Sequence, residues 1–314
     1  MFDVVGIGAS SVDYVYRLPS APQFHGPASK MRLVGHGVSC GGQVATAMAT
    51  CAAFGLRAAY AGAVGDDDDG RRLLEALTGR DVDVSLTVRR RGGSQFAAVL
   101  VDDSSGERAV LWDRPDSLLL ADEHLPVAAL QAARSVLVDD VDPRASLAAA
   151  RIARAAGVPV VTDLDHVTPL TGDLIRTASH PILSEHLPQA LTGERDLERA
   201  LRAMHAWNPG LLTVTVGERG AVALDGDHFV EVEGFRVSAV DTTGSGDVFR
   251  GAFIAGLLQG LAVAELLRFA NAAAAVSCTR SGALDGVPAL AEVANLLRGD
   301  EVRRRSPAPE SSDT

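Results

Sequence analysis

The chain has a single lysine, Lys30, among its 314 residues. That scarcity excludes two familiar ways of handling nucleotide phosphates, because a GxxxxGK[ST] loop and the VAIK strand of a protein kinase each place a lysine on them. Cysteine is scarce too. Cys40, Cys51 and Cys278 form no CxxC pair and no even-numbered framework, so each is read as a small buried hydrophobe in a reducing compartment. No HExxH or EF-hand spacing occurs, which leaves structural zinc and calcium without a candidate site. Long apolar runs are absent: the stretch 252–276 is interrupted by Gln259, Glu265, Arg268 and Asn271, so no membrane span is predicted. The opening MFDVVGIGAS carries Asp3 where a signal peptide would carry basic residues, and a cytoplasmic protein is expected. Basic residues number 29 against 40 acidic, a net charge of −11, which removes long-range attraction to nucleic acid or an anionic membrane.

What the chain does have is 47% apolar and 22% charged residues, the balance of a globular protein with a sizeable core. Strand-like runs at 3–8, 58–64, 136–139, 158–163 and 211–216 alternate with helical patterns that start at Gly42 and span 143–156 and 195–207. This rhythm predicts an α/β fold with a mostly parallel sheet. Two segments break it. Val12, Tyr14 and Tyr16 alternate with polar neighbours, and 95–101 and 108–112 flank the turn DDSSGE. They predict a small β-lid from 12–37 and 88–116, over a core of 1–11, 38–87 and 117–299. The tail 300–314, rich in charge, Pro and Ser, is expected to be disordered.

The sharpest motif is VDTTGSGDVFRGAFIAGLLQG at 240–260, a Gly-Ser-Gly turn opening into an apolar helix. Gly244 and Gly246 allow close backbone approach, and the unpaired N–H groups of a first helical turn attract an anion. Asp247 lies in that same turn, where the helix field is expected to keep it ionised and able to take a hydroxyl proton. An anion cradle beside a carboxylate is what phosphoryl transfer to an alcohol needs, although a glycine turn with an acidic cap would read alike. Asp13 follows the first strand, at the sheet edge where ligands bind in α/β folds, and can accept two sugar hydroxyls or lie in a solvated loop. Gly41 and Gly42 open the next helix. Thr215 to Gly220, TVGERG, reads as a nucleotide-bordering turn or as a hairpin corner; Asn271 with 272–275 makes a small-residue face for something flat or for tight packing. Asp66 to Asp69, bracketed by Gly65 and Gly70, is read as a solvated turn. GIGASS at 6–11 lacks the third glycine and the helix of a dinucleotide fingerprint. GVSCG at 37–41 matches a nucleophile elbow, which makes a serine hydrolase using Ser39 a distant alternative.

Taken together, and in this order, these segments resemble the ribokinase or PfkB family of carbohydrate kinases, nearest its sulfofructose-kinase and ketohexokinase-like branch. The segments that carry the resemblance are Asp13, Gly41-Gly42, VGDDDDG at 64–70, VTVGERG at 214–220, DTTGSGD at 241–247 and NAAAA at 271–275. The resemblance implies a ribokinase-like three-layer α/β/α core with a β-lid and transfer of the γ-phosphoryl group of Mg·ATP to a primary hydroxyl of a ketohexose, pentose or related sugar acid. By it, Asp247 is the base and Gly244, Ser245 and Gly246 the anion hole. Asp13, Gly41, Gly42 and Thr46 hold the sugar, Thr46 standing where the family has Asn. Thr215, Gly217, Gly220, Asn271 and Ala275 border the nucleotide. Asp241 and Thr243 match positions that bind a monovalent cation such as K⁺. The family's NxxE segment aligns with Ser184-Glu185-His186-Leu187 and is lost, so magnesium would rest mainly on phosphates and water, with help from Asp163, Asp165 or Glu185, and a catalytically silent homologue is the alternative. Arg250, three residues past Asp247, and Lys30 on the lid are candidates for an anionic group of ATP or substrate. A homodimer through the lid is implied as well.

Overall fold

The computed structural model describes residues 1–26, 29–105 and 107–305, with side chains as far as residue 300. Strand β1 (Val4–Ile7) lies between β4 (Ala58–Tyr60) and β9 (Ser135–Asp139), and β10 (Val160–Asp163) adds beyond β9, all parallel. Bridges from Val161 to His180 and Leu164 to Leu183 carry this sheet onto a second one. It runs β11 (Ile182–Ser184), β12 (Leu212–Thr215), β13 (Ala221–Asp225) and β14 (His228–Val232), the last two antiparallel.

Successive strand residues face opposite ways, and the chain uses both faces. Val4, Leu137 and Val161 pack with α1 (Gln43–Ala53), α8 (Ser245–Gln259) and α9 (Val263–Ser277) through Met48, Phe253 and Leu266. Val5, Val136, Val138 and Val160 pack on the other side with Ala149 of α4 (Pro143–Ala155) and Leu201 of α7 (Leu197–His205). The result is three layers, helix on sheet on helix. Caps fix where the outer helices begin: Asp142 accepts from Ala145 N, with Pro143 in the first turn of α4, and Asp196 accepts from Arg199 N. The remaining helices are α2 (Asp68–Thr78), α3 (Val127–Ala132), α5 (Thr171–Thr177), α6 (His186–Thr192), α10 (Ala283–Gly286) and α11 (Leu290–Arg305).

The lid is a separate sheet in the order β3 (Gly35–Gly41), β2 (Ser11–Leu18), β7 (Phe96–Asp102) and β8 (Arg108–Asp113). Four boundaries differ from the sequence reading. The run 58–64 is two strands, because a turn at Gly62, where a Cβ would meet Tyr60 Oη at 2.1 Å, separates β4 from β5 (Ala63–Gly65). Residues 88–90 form β6 (Val88–Arg90) beside β5 rather than lid. The lid reaches Gly41 rather than residue 37, since GHGVSCG has too little apolar alternation to announce a strand. Helix α11 continues through Asp300 to Arg305, and the rest of the expected tail, 306–314, lies outside the described residues.

The acid run is not a loosely solvated turn but a latch between core and lid. Asp66 accepts from Gly92 N (2.8 Å), and Asp67 caps α2 and accepts from Ser94 N and Oγ. Tyr14 Oη of the lid donates to Asp69 at 2.7 Å. Cys40 and Cys51 are buried as expected, Cys278 only partly.

Candidate active site

Where β1 leaves the sheet, Ser11 Oγ donates to Asp13 Oδ1 (3.0 Å), and the carboxyl is buried at the root of the lid. Burial holds Asp13 above the usual carboxylate range; the Ser11 bond pulls it down, and the charge of Asp241 adds to the rise. Close approach explains the glycines around it. A Cβ on Gly41 would lie 3.1 Å from Ala283 Cβ and 3.2 Å from Asp13 Oδ2; at Gly42, with φ 100°, it would strike Ser10 Cα at 2.5 Å. Gly244 adopts the left-handed conformation (φ 77°, ψ 0°) at the start of α8, and a Cβ there would reach Ala283 Cβ at 2.7 Å. Asp13, Gly41, Ala283 and Gly244 thus form one chain of close contacts, of which Asp13 reaches the cavity beneath the lid.

No side chain caps α8. Ser245 N donates to Thr242 O at 3.2 Å; the other first-turn N–H groups have no partner within the helix, so the turn presents them and the positive dipole end. Asp247 stands partly buried in that turn. Contrary to the expectation from the helix field alone, its carboxyl is pushed well above the ordinary range, by burial first and by the charge of Asp163 second, with Arg250 pulling the other way. A base with a raised pKa is better matched to removing a hydroxyl proton near neutrality.

Under the lid a cavity of about 720 Å³ is walled by Asp13, Ser39, Asp241, Thr243 and Gly282, and on the lid side by Arg17 and Arg108. Both guanidiniums are already engaged. Arg17 pairs with Asp103, while Arg108 donates from Nη1 to Thr243 Oγ1 (2.5 Å) and Asp241 Oδ1 (3.2 Å), and from Nη2 to Thr242 Oγ1 (3.2 Å). Asp241 Oδ1 also takes Thr243 N and Oγ1, and Oδ2 takes Gly282 N. Burial alone would raise Asp241, but these bonds and the Arg108 charge bring it below its usual value. The carbonyl of Cys278 is occupied by Val240 N and Asp241 N. The place read as a monovalent-cation site therefore holds a guanidinium.

The nucleotide-bordering candidates come together on the second sheet and α9. Thr215 ends β12, and Gly217 (φ 62°) leaves open space where a side chain would stand. Gly220 (φ 103°) allows Val232 and Gly234 to pack against it. Asn271 spends its amide on Val232 O (2.9 Å) and Glu233 O (3.3 Å), so it shapes this border by holding that backbone; Ala275 is buried four residues on.

Several candidates fall elsewhere. Arg250 does not face the cleft: it is buried, its Nε 2.9 Å from Asp163 Oδ1. Thr46 is fully buried and backs the Gly244 turn, its Cγ2 3.5 Å from where a Cβ would stand, instead of facing the cavity. Lys30 is exposed and outside the cavity wall. Ser39 sits within β3, paired with Asp13 across the lid, so the strand-to-helix elbow of a serine hydrolase is absent at 37–41. Reading the sequence missed Arg108, which carried no signal, and the pairing of Asp163 with Arg250, although a carboxylate at the carboxyl end of a parallel strand is a recognisable functional position.

A model of the pfkB family of carbohydrate kinases matches residues 1–290. The chain belongs to that family. It is similar to fructokinase-1 of Zea mays, 30% identical over 322 residues covering 94% of this chain and 97% of the relative. The ribokinase of Haemophilus influenzae is 26% identical over 302 residues, covering 93% and 97%. In fold it resembles the Arabidopsis thaliana ribokinase complexed with ribose and ATP, with a TM-score of 0.82 at 24% identity over 95% of this chain and 99% of that one. As a pfkB carbohydrate kinase it is a phosphotransferase with an alcohol group as acceptor.

Proposed function

We propose that this kinase transfers the γ-phosphoryl group of ATP to a primary hydroxyl of a neutral sugar, a ketohexose such as fructose or a pentose such as ribose. The observation that carries the reading is the left-handed Gly244 turn, which opens α8 without a side-chain cap beside Asp247. In the reaction the Asp247 carboxylate takes the hydroxyl proton as the sugar oxygen forms its bond to the γ-phosphorus, and the bond to the β-phosphate oxygen breaks to release ADP. The N–H groups that this turn leaves free hold the moving phosphoryl oxygens, and Asp13 accepts from the sugar hydroxyls. The turn at Gly217 to Gly220, with α9 behind it, borders the nucleotide. Among the described residues no three His, Cys, Asp or Glu side chains are grouped to hold a metal. Mg²⁺, which keeps much of its water, suits attachment through the ATP phosphates, whose charge it would offset. A separate monovalent cation is not part of the reading, because Arg108 stands at Asp241 and Thr243.

The cavity favours a neutral sugar over a sugar acid. Its wall carries Asp13, Asp102, Asp103, Asp241 and Asp285; Asp103, Asp241 and Asp285 are paired with Arg17, Arg108 and Arg80, so both guanidiniums of the wall are committed. An anionic substituent would find neither of them free and would meet Asp13 and Asp102. We also infer a homodimer through the lid, whose β7 and β8 expose Phe96, Val110, Leu111 and Trp112, with Val38 exposed on β3.

The test is Asp247→Asn assayed by coupled ADP release with fructose and with ribose. Turnover is expected to fall by about 10²–10⁴-fold while sugar and a nonhydrolysable ATP analogue still raise the melting temperature. Turnover within severalfold of the parent would refute the assignment.

A further inference from the structure

Behind the Gly244 turn lies a buried charge cluster that the reaction as described does not use. Arg250, one helical turn past Asp247 on α8, reaches down to the carboxyl end of β10, where its Nε lies 2.9 Å from Asp163 Oδ1; each side chain is 3% exposed. Its Nη1 would stand 2.7 Å from a Cβ on Gly246, so the guanidinium is packed directly under the anion-binding turn. Arg250 Nη2 is buried without a hydrogen-bond partner, and Nε, although 2.9 Å from Asp163 Oδ1, is not aligned to donate to it. An unsatisfied buried charge is expensive, and a buried ion pair is weak evidence of stability by itself, so the arrangement calls for another reason.

The surroundings of Asp247 supply one. From β9 and β10, paired in register, come Asp139 and Asp163, and Asp165 follows on the same sheet edge. Asp139 accepts Ala9 N at 2.7 Å and Val141 N at 3.1 Å, and is acted on by the charge of Arg114. Helix α1, packed along α8, brings the Cys51 thiol, which donates to Gly251 O, and at its start Gln43, whose side chain hydrogen-bonds to Asp163. Helix α9 runs back along α8, so its Glu265 and Arg268 lie at the end remote from Asp247; Cys278, just past its other end, is a thiol held neutral by burial. Asp140, which acts on both Asp139 and Asp163, adds a further carboxylate; the His166 ring lies 3.8 Å from Asp165 and 3.9 Å from Asp140, and Arg250 is the guanidinium that acts on both Asp163 and Asp247.

We propose that Arg250 is a positioning residue of the phosphoryl transfer: clamped on Asp163 beneath the Gly244 turn, it seats Asp247 and sets its charge state. This rests on the reading of Asp247 as base. Removing the positive charge favours protonated Asp247; removing the negative charge of Asp163 favours the carboxylate. The two partners of one ion pair therefore have opposite effects.

The experiment is kcat/KM against pH for the full chain, with whichever of fructose or ribose the parent phosphorylates. In Arg250→Met the acid limb should move up by about 1–3 pH units, and in Asp163→Asn it should move down. Arg250→Lys, which keeps the charge, should leave the limb near the parent's while kcat falls, because the planar clamp is lost. It also carries the test should the Met variant fail to fold, together with Asp163→Asn. Limbs that stay in place, or move the same way for both partners, overturn the proposal and reduce the pair to a structural one. If Asp247→Asn is inactive and those limbs do not part, the inference about Arg250 fails alone; if Asp247→Asn is active, the base assignment fails with it.

Discussion

Gly244→Ala tests the turn on which the chemistry depends. Gly244 sits at φ 77° and ψ 0°, a left-handed conformation that costs a residue with a Cβ about 1–2 kcal/mol. The added methyl would also lie 2.7 Å from Ala283 Cβ and 2.8 Å from Ala283 Cα, and such overpacking adds about 1–3 kcal/mol. The strain of about 2–5 kcal/mol exceeds what one turn can absorb in place, so the backbone must move and the N–H groups lose their aim. A misplaced donor of this kind lowers kcat by about 10²–10³-fold. Steady-state ADP release should show that fall, with a lowered melting temperature and folding otherwise intact by circular dichroism. Adding Ala283→Gly removes one of the two collisions but neither the second nor the left-handed backbone, so the double variant should recover part of the loss and no more. A kcat within threefold of the parent in Gly244→Ala, or full recovery in the double variant, would show that the turn is not what holds the phosphoryl group.

Arg108→Ala should change melting by little, since a pair with a guanidinium 40% exposed is worth about 1 kcal/mol or less. It should, however, make kcat respond to added K⁺, because Asp241 and Thr243 are then free for a cation; equal K⁺ response in variant and parent would sink the idea that the guanidinium fills that position. Leu111→Glu with Trp112→Glu places charge on the exposed lid face and should convert a dimer to monomers in sedimentation velocity, whereas a parent that is itself monomeric would remove the dimer reading. Because burial and Asp163 raise Asp247, the rate of the parent should fall as pH drops through a limb above the ordinary carboxylate range; a rate flat down to about pH 4 would contradict the shift.

Local chemistry made much of this protein legible without coordinates. The alternation of Val4 and Val5, or of Val160 and Val161, records a sheet covered on both faces, and each residue proved to serve the layer that its parity assigned. The DTTGSGD turn was legible for the same reason: left-handed backbone, helix start and acid are consecutive, and the geometry depends on neighbours in the chain. Strand β3 escaped notice because GHGVSCG gains its pairing from β2, where Gly35 meets Arg17 and Gly41 meets Ser11, and has little pattern of its own.

Tertiary structure alone decided which charges meet. Arg108 and Asp241 are 133 residues apart, and Asp163 and Arg250 lie on different layers; no spacing in the sequence joins either pair. Arg250 could as well have faced the cleft, because helical periodicity fixes the angle of a side chain about its own axis and says nothing of what the next layer offers. A carboxylate's pKa is likewise a property of its neighbours in space. The sequence determined that an acid would follow the glycine turn; the folded chain, by burying it beside Asp163 and opposing both with one guanidinium, determined at what pH that acid can accept a proton.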